Sequence, residues 1–489
     1  MGKTKGRYRY LFSNMALFTV SSFISKMLVF FLVPFYTTVL SEAEYGVADV
    51  MATTLLIAVP VLTVNAGEAA LRFALGGSDP DEILRIGLTR VIRACAVIAA
   101  ICLAAFFADR FGLFSGVAGG APLGTYALMF LALFVSDAFY EYMLLYCQGI
   151  DRVKVMITGS VSCTALTIAS NMVFLLVVRL GLYGYLFSQM TAFSLSALLM
   201  FFLVKGRERL SRPGLAPGKE EYKKLDAEMG EYGSSMMLYA VSSWINNAID
   251  RYYILFMLGS AVNGLYGVAY RIPAILTTFQ RIFAQAFQMS AVREYRKEDG
   301  AEFFSGLYRM YNAAMVLCCA AILLVLKPIA LLLFRKGFYD AWRLVPPLLI
   351  AVIFGALEGF LGSICLAFKD GKSIGRATCA GAVVNIVLNF VLIRHLGAFG
   401  AALSTLFSYF TMFILAWKMV ERHIQLNVGR ARDFAAYVLL GAESFVLLSS
   451  FGADYLLNAA IVILLAVLYG KEITEVYKKC RKRFGRKIA

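Results

Sequence analysis

From residue 11 to residue 40 the chain runs with a single charge, Lys26, and long apolar stretches of this kind recur to its end. A helix needs about 20 predominantly apolar residues to cross the hydrocarbon core of a bilayer. The spacing predicts fourteen such spans, at roughly 11–39, 47–73, 84–107, 124–148, 153–179, 182–204, 233–258, 263–288, 307–333, 342–367, 374–394, 398–420, 433–451 and 455–475. Composition agrees: 60% of 489 residues are hydrophobic and 16% charged, more apolar surface than one water-soluble core could hide. The expected fold class is all-α, a polytopic membrane protein with about 14 transmembrane helices.

Span 1 follows Lys3, Lys5, Arg7 and Arg9, as a signal peptide would, but it has no small-residue cleavage site and reads as a helix that stays attached. Most of the nine cysteines lie inside apolar runs (Cys95, Cys102, Cys163, Cys318, Cys319 and Cys379 among them) without metal-ligand spacing. They read as small core residues, implying neither disulfides nor zinc. With only His395 and His423 in the chain, metal or acid–base chemistry has little material. No cofactor is expected, and an enzyme reading is disfavoured.

The net charge of +16 does not point to nucleic acid, because no soluble domain exists to carry a basic face. Topology accounts for it. With the amino terminus in the cytoplasm, the cytoplasmic connections hold Arg152 and Lys154; the basic residues of 205–224; Arg293, Arg296 and Lys297; Lys369, Lys372 and Arg376; Arg430 and Arg432. The opposite loops 41–46 and 259–263 hold no Lys or Arg, and 327–343 is only moderately basic. The positive-inside rule then places both termini in the cytoplasm, with the basic tail 476–489 resting on the anionic leaflet.

An internal repeat organises the spans. Tyr45-Gly46-Val47-Ala48 recurs as Tyr266-Gly267-Val268-Ala269, an offset of 266 − 45 = 221. Leu180-Gly181-Leu182-Tyr183-Gly184 with Ser188 matches Leu396-Gly397-Ala398-Phe399-Gly400 with Ser404, an offset of 396 − 180 = 216. Both pair span n with span n + 6, which implies a duplicated six-helix unit in parallel orientation; transporters so built bind substrate near the midplane. The expected domains are 1–204, a six-helix bundle; 205–232, a charged cytoplasmic linker loop with Pro213 and Pro217; 233–421, the second bundle; 433–475, spans 13 and 14 outside the repeat; and the tail.

Charges inside the spans are the candidate functional residues. A Lys or Arg at the bilayer centre costs about 2.5–3.5 kcal/mol, so Lys26, Arg251 and Arg271 facing lipid together would cost roughly 8–10 kcal/mol. They require a wet cavity or partners. Helical spacing aligns Thr19, Ser22 and Lys26 on span 1; Asn65, Glu68 and Arg72 on span 2; Tyr239, Ser243, Asn246, Asp250 and Tyr253, with Asn247 and Arg251 alongside, on span 7; and Arg271, Thr278, Gln285 and Gln288 on span 8. The expected substrate-binding set is Lys26, Arg72, Arg251, Arg271, Arg281 and Asn247, lining a cationic lumen in which Arg251 and Arg271 grip one anion. The competing reading is internal pairing, Glu68 with Arg72 at i, i+4 or Asp250 with a cation on another helix, and snorkelling for Arg72 and Arg281. Asp137 and Glu141 on span 4, also four apart, would repel if both were ionised. With Glu68 and Asp250 they are the candidates for a coupling-ion site, proton or sodium, and pairing with Arg72 is the alternative. Pro34, Pro60 and Pro273 interrupt three of the charged spans, as bending elements would require.

Lys26, then Pro34-Phe35-Tyr36-Thr37-Thr38-Val39-Leu40 and Glu44-Tyr45-Gly46, resembles the amino-terminal pattern of bacterial polysaccharide flippases, the O-antigen or Wzx-type transporters of the MOP superfamily. Glu68 with Arg72-Phe73, Asp250-Arg251-Tyr252, 266–273 and Gly397-Ala398-Phe399-Gly400-Ala401-Ala402 extend the resemblance over most of the chain. It implies a MATE-like V shape of two six-helix bundles plus two extra helices, in the bacterial inner membrane. It also implies a task, moving an undecaprenyl-pyrophosphate-linked oligosaccharide from the inner to the outer leaflet, its tail staying among membrane lipids. Such a headgroup is an anion that a cationic lumen would attract. A lipid II flippase would suit the same lumen. A multidrug antiporter would be expected to carry acids there, and Lys26 argues against it. A membrane glycosyltransferase or polymerase would need a large extracytoplasmic loop, which the spans leave no room for.

Overall fold

The computed structural model describes residues 30–112, 123–211, 220–294, 300–368, 370–449 and 454–474, and among these the regular structure is entirely helical. Of span 1 only residues 30–39, which hold α1 (Val33–Val39), are described, so Lys26 lies outside the described residues. The described part of every predicted span from the second to the fourteenth falls on one helix or on two separated by a break. Nine described helical segments are long and apolar enough to cross a membrane. Phe107, Phe202, Phe256, Phe434 and Val467 are among the many large apolar side chains exposed on the described helices, a surface that suits lipid as solvent. The chain divides into two compact units, Met1–Trp244 and Ile245–Ala489.

In the first unit α2 (Glu42–Leu62) opens on a capping box: the Ser41 hydroxyl accepts from Glu44 N, and the Glu44 carboxylate accepts from Ser41 N. Two amides left without helical partners are thereby satisfied. Glu44 also accepts from Leu182 N at 3.1 Å, tying this end to α7 (Leu182–Leu203). Span 2 is interrupted, as Pro60 in its sequence implied. It breaks at 63–65 into α2 and α3 (Ala66–Leu75), after Pro60, whose carbonyl accepts Asn65 N at 2.7 Å. Between them Val64 and Asn65 take φ of 54° and 48°, left-handed values that are costly for a β-branched residue. The core follows from α4 (Pro80–Arg110) and α5 (Leu123–Gly149): Tyr142 and Tyr146 are buried and donate to the carbonyls of Ile83 and Pro80 at 2.9 and 3.0 Å. Span 5 is α6 (Val153–Asn171) ending in a π-helical turn, Met172–Val177.

The 205–232 segment was expected to be a loop, and the structure corrects this. It contains α8 (Gly206–Ser211), and from Glu220 it is already α9 (Glu220–Leu258), which continues into span 7. Its charges are used locally. Arg90 binds Asp226 at 2.6 Å, Arg209 binds Asp81 at 2.6 Å, and Arg85 donates to the Leu210 carbonyl.

The second unit continues with α10 (Ser260–Ala269) and α11 (Pro273–Glu294), into which span 8 breaks ahead of Pro273. Then come α12 (Gly300–Leu324), α13 (Leu326–Leu333), a 3-10 segment (Lys336–Leu344), α14 (Val345–Ala367), α15 (Gly371–Leu396), α16 (Ala398–Val420), α17 (Arg430–Ser449) and α18 (Asp454–Leu468). The repeated glycine motif does the same job in each unit. Gly181 and Gly397 are the N-cap residues of α7 and α16, with φ of 55° and 59°, values glycine adopts without a Cβ penalty. Three residues on, a Cβ on Gly184 would stand 2.8 Å from the Phe174 carbonyl, and one on Gly400 2.3 Å from that of Leu392. In both places the helix passes against the backbone that precedes it. The partner motif places Tyr45 and Tyr266 in the cores of their units.

Candidate functional site

Each unit contains a polar cluster where its helices are broken or joined. In the second unit the centre is Asp250 on α9, 1% exposed. Its Oδ2 accepts from the hydroxyls of Tyr266, of Tyr270 at 3.2 Å and of Thr405 at 3.3 Å. Tyr266 and Tyr270 are one turn apart at the end of α10, and Thr405 comes from α16, so three hydroxyls from two helices converge on one oxygen. The other oxygen, Oδ1, accepts Arg251 N at 3.1 Å and stands 3.5 Å from the Arg251 guanidinium. Arg251 in turn donates to the Asn247 carbonyl at 2.9 Å and lies over the Tyr270 ring, 4.5 Å from its centroid. A buried cation held by a carboxylate and an aromatic face is a satisfied charge.

Beside it, the Tyr409 hydroxyl donates to Asn247 Oδ1 at 2.6 Å, and Asn246 donates to the Thr378 carbonyl while accepting from Ser408. The structure thus brings together Asp250, Arg251 and Asn247 of the expected site, and it pairs Asp250 with its own neighbour rather than with a cation on another helix. Arg271 is half-buried in the break between α10 and α11, its N–H bonded to the Val268 carbonyl at 3.0 Å. Arg281 is exposed on α11.

In the first unit the cluster forms around the break in span 2. A water-sized cavity of about 20 Å³ is lined by Pro60, Thr63, Asn65, Glu68, Glu141 and Tyr142, among others; one ordered water fits such a volume. Glu68 lies in the first turn of α3, where the helix dipole favours a negative charge. Glu141 and Asp137 are half-buried, one turn apart on α5, and the three carboxyls lie within electrostatic reach as a chain, Glu68 to Glu141 and Glu141 to Asp137. Arg72 is exposed, and no ion pair joins it to Glu68 or Glu141 among the described residues. Those residues contain no group of three His, Cys, Asp or Glu able to hold a metal. The break is held from α9: Asn65 donates to the Gly233 carbonyl at 3.2 Å, and a Cβ on Gly233 would meet the Val64 carbonyl oxygen at 2.0 Å.

Sequence reasoning did not find the hydroxyl ligands of Asp250. Tyr266, Tyr270 and Thr405 lie in or beside the repeated motifs, the one signal that singled out their neighbourhood. It also passed over Glu443 and Asn458, which are fully buried on α17 and α18; an acid within an apolar run was the available signal.

The model of a family described as "Polysaccharide biosynthesis protein" matches residues 11–287. Among solved structures the fold is similar to that of the lipid II flippase MurJ in an inward closed conformation, with a TM-score of 0.68 and 13% identity over 95% of this chain and 99% of that one. It is also similar to the inward-facing conformation of a multidrug resistance MATE family transporter of the MOP superfamily, with a TM-score of 0.66 and 14% identity over 84% of this chain and 95% of that one. A third, MATE in complex with MaL6, has a TM-score of 0.56 and 15% identity over 86% and 97%. At these identities the likeness is one of fold. No curated protein sequence matches this chain significantly.

Proposed function

Because this chain belongs to the family of polysaccharide biosynthesis proteins, we propose that it is a flippase, moving an undecaprenyl-pyrophosphate-linked oligosaccharide from the inner to the outer leaflet of the bacterial cell membrane by alternating access. The observation that carries this reading is the family match over more than half of a chain built of membrane-spanning helices. The substrate is a lipid with a large anionic head, and its tail can remain in the bilayer while the head crosses. Lys26, Arg72, Arg271 and Arg281 are the cations offered to the pyrophosphate, and a phosphate is attracted by point charge and by guanidinium fork alike. Arg251, engaged by Asp250, shapes the site from behind with Asn247. Glu68, Glu141 and Asp137 are the groups offered to a coupling ion, beside a break that Pro60 and the strained Val64 make bendable. Both termini are cytoplasmic in this scheme.

A second reading, a lipid II flippase, is favoured by the fold shared with MurJ and by the same headgroup chemistry. Deleting the gene and identifying which lipid-linked sugar accumulates on the cytoplasmic leaflet separates the two. A polysaccharide repeat unit supports the first reading and lipid II the second. No accumulation of either refutes both.

A further inference from the structure

Helices α17 and α18, outside the repeated units of the sequence, contain a polar pair that the flippase reading does not use. Glu443 on α17 is fully buried, and neither of its carboxyl oxygens has a hydrogen-bond partner among the described residues. Asn458 on α18 is also fully buried, with both amide atoms unpartnered. The register of the two helices puts these residues at a similar level along the hairpin. The Tyr469 hydroxyl donates to Asp433 at 3.1 Å, and Arg432 donates to Glu472 at 2.5 Å. From the Asp433–Tyr469 contact, ten residues along α17 reach Glu443, and eleven residues back along α18, close to three turns, reach Asn458. From the Arg432–Glu472 contact the counts are eleven and fourteen, so in an antiparallel hairpin the two lie within about one helical turn of the same level.

The surroundings are apolar. The elements packed on α17 are α12, α14 and α18. Helix α12 brings Cys319, buried and within electrostatic reach of Glu443. Helix α14 brings the Phe354 ring against Tyr437. The charged groups, Arg432, Asp433 and Glu472, and the phenols of Tyr308, Tyr437 and Tyr469 lie toward the other end of the interface. An ionised carboxylate without a partner in such a place is strongly disfavoured, so the group takes a proton instead. A protonated carboxyl has the donor and acceptor to match a carboxamide on both edges, its O–H toward the amide oxygen and its carbonyl oxygen toward the amide N–H.

We propose that Glu443 and Asn458 form a proton-binding site inside the membrane, loaded when the carboxyl pairs with the amide and emptied when the α17–α18 hairpin shifts against α12. A sodium ion is excluded by donor number, since the pair supplies three side-chain oxygens against the six or so a hard cation takes. The same interface holds the approach to the site. Arg432 to Glu472, Tyr469 to Asp433, Asn312 to Tyr469 at 3.2 Å and Tyr437 to Asn312 at 2.9 Å make a hydrogen-bonded series from the Arg432 end inward. It reaches Asn312, two turns along α12 from Cys319. In that series Asp433 and Glu472 each keep one oxygen unpartnered among the described residues.

The inference rests on the flippase reading only for what the proton drives, so its test has two arms. Infrared difference spectra of the purified protein between acid and alkaline pH should show the carbonyl stretch of a protonated carboxyl. That band should vanish in Glu443→Gln at unchanged melting temperature, since glutamine keeps the pairing with Asn458, and in Asn458→Leu it should move toward the frequency of an unbonded acid. The same titrating band in Glu443→Gln, no movement in Asn458→Leu, or a response to sodium at constant pH overturns the site. In vesicles, an imposed proton gradient should accelerate movement of added undecaprenyl-pyrophosphate-linked oligosaccharide by the wild type and leave Glu443→Gln at its gradient-free rate. Full acceleration in Glu443→Gln overturns the coupling role. Wild-type vesicles that move no such lipid overturn the flippase reading instead, and the infrared result then decides the proton site alone.

Discussion

Removing the carboxylate of Asp250 should destabilise the protein by about 3–5 kcal/mol, the cost of stranding one member of a buried ion pair. Asp250 and Arg251 are 1% and 9% exposed, with 3.5 Å between the charged atoms. At that separation their attraction is about 5 kcal/mol with an effective dielectric constant of 20. In Asp250→Ala that attraction is lost while Arg251 stays covered by the Tyr270 ring. The hydroxyls lose their acceptor but keep one another, since Tyr266 stands 3.4 Å from Tyr270 and 3.5 Å from Thr405, so the guanidinium's loss of its counter-ion dominates. Denaturant unfolding of the purified protein in detergent measures it, and a cycle with Arg251→Ala and the double variant isolates the pair. The double variant should be more stable than the sum of the singles by about 1.5–3 kcal/mol. Wild-type stability in Asp250→Ala, or strict additivity in the cycle, would refute the pairing and return Arg251 to the set of cations open to substrate.

Gly233→Ala should cost about 1–3 kcal/mol, read as a lowered melting temperature, because its methyl group would enter the Val64 carbonyl at the break in span 2; an unchanged melting curve would show that the break is not held from α9. Arg271→Ala should abolish flipping with expression and melting unchanged, while Arg271→Lys keeps part of the rate because a point charge still attracts phosphate. Fully active Arg271→Ala and Lys26→Ala variants would leave the cationic site without support. Cysteine probes at Ala43 and Ser260 should react with a membrane-impermeant reagent on intact cells and a probe at Ala216 should not; labelling at Ala216 would contradict cytoplasmic termini.

Nine of the expected spans, the second to the sixth and the ninth to the twelfth, were legible because lipid enforces them: a crossing helix must be predominantly apolar, and hydropathy reads that directly. The breaks were legible only in part: Pro273 stands directly after the one in span 8. Pro60 was visible, but the chain turns at Val64 and Asn65, four and five residues later, where Asn65 meets a carbonyl on α9 that is 168 residues away in sequence. The 205–232 segment reads as a loop from its prolines and charges. It is partly helical because Asp81 and Arg90 on α4 give two of those charges partners and Arg85 binds its Leu210 carbonyl. At the site, opposite charges at Asp250 and Arg251 could be read off the chain. That they hold each other, and that Tyr266, Tyr270 and Thr405 complete the carboxylate's bonds, depends on how α10 and α16 pack beside α9. Glu443 shows the same limit, since an acid in an apolar run does not reveal whether its face meets lipid, water or another helix.

The central claim is tested most directly by reconstituting the purified protein into vesicles with a labelled undecaprenyl-pyrophosphate-linked oligosaccharide and treating them from outside with a glycosidase that cannot enter. A flippase predicts that the enzyme eventually reaches the whole labelled pool, at a rate that rises with the protein-to-lipid ratio and falls in Arg271→Ala. If vesicles containing the protein protect as much label as protein-free vesicles, this chain does not move the lipid-linked sugar.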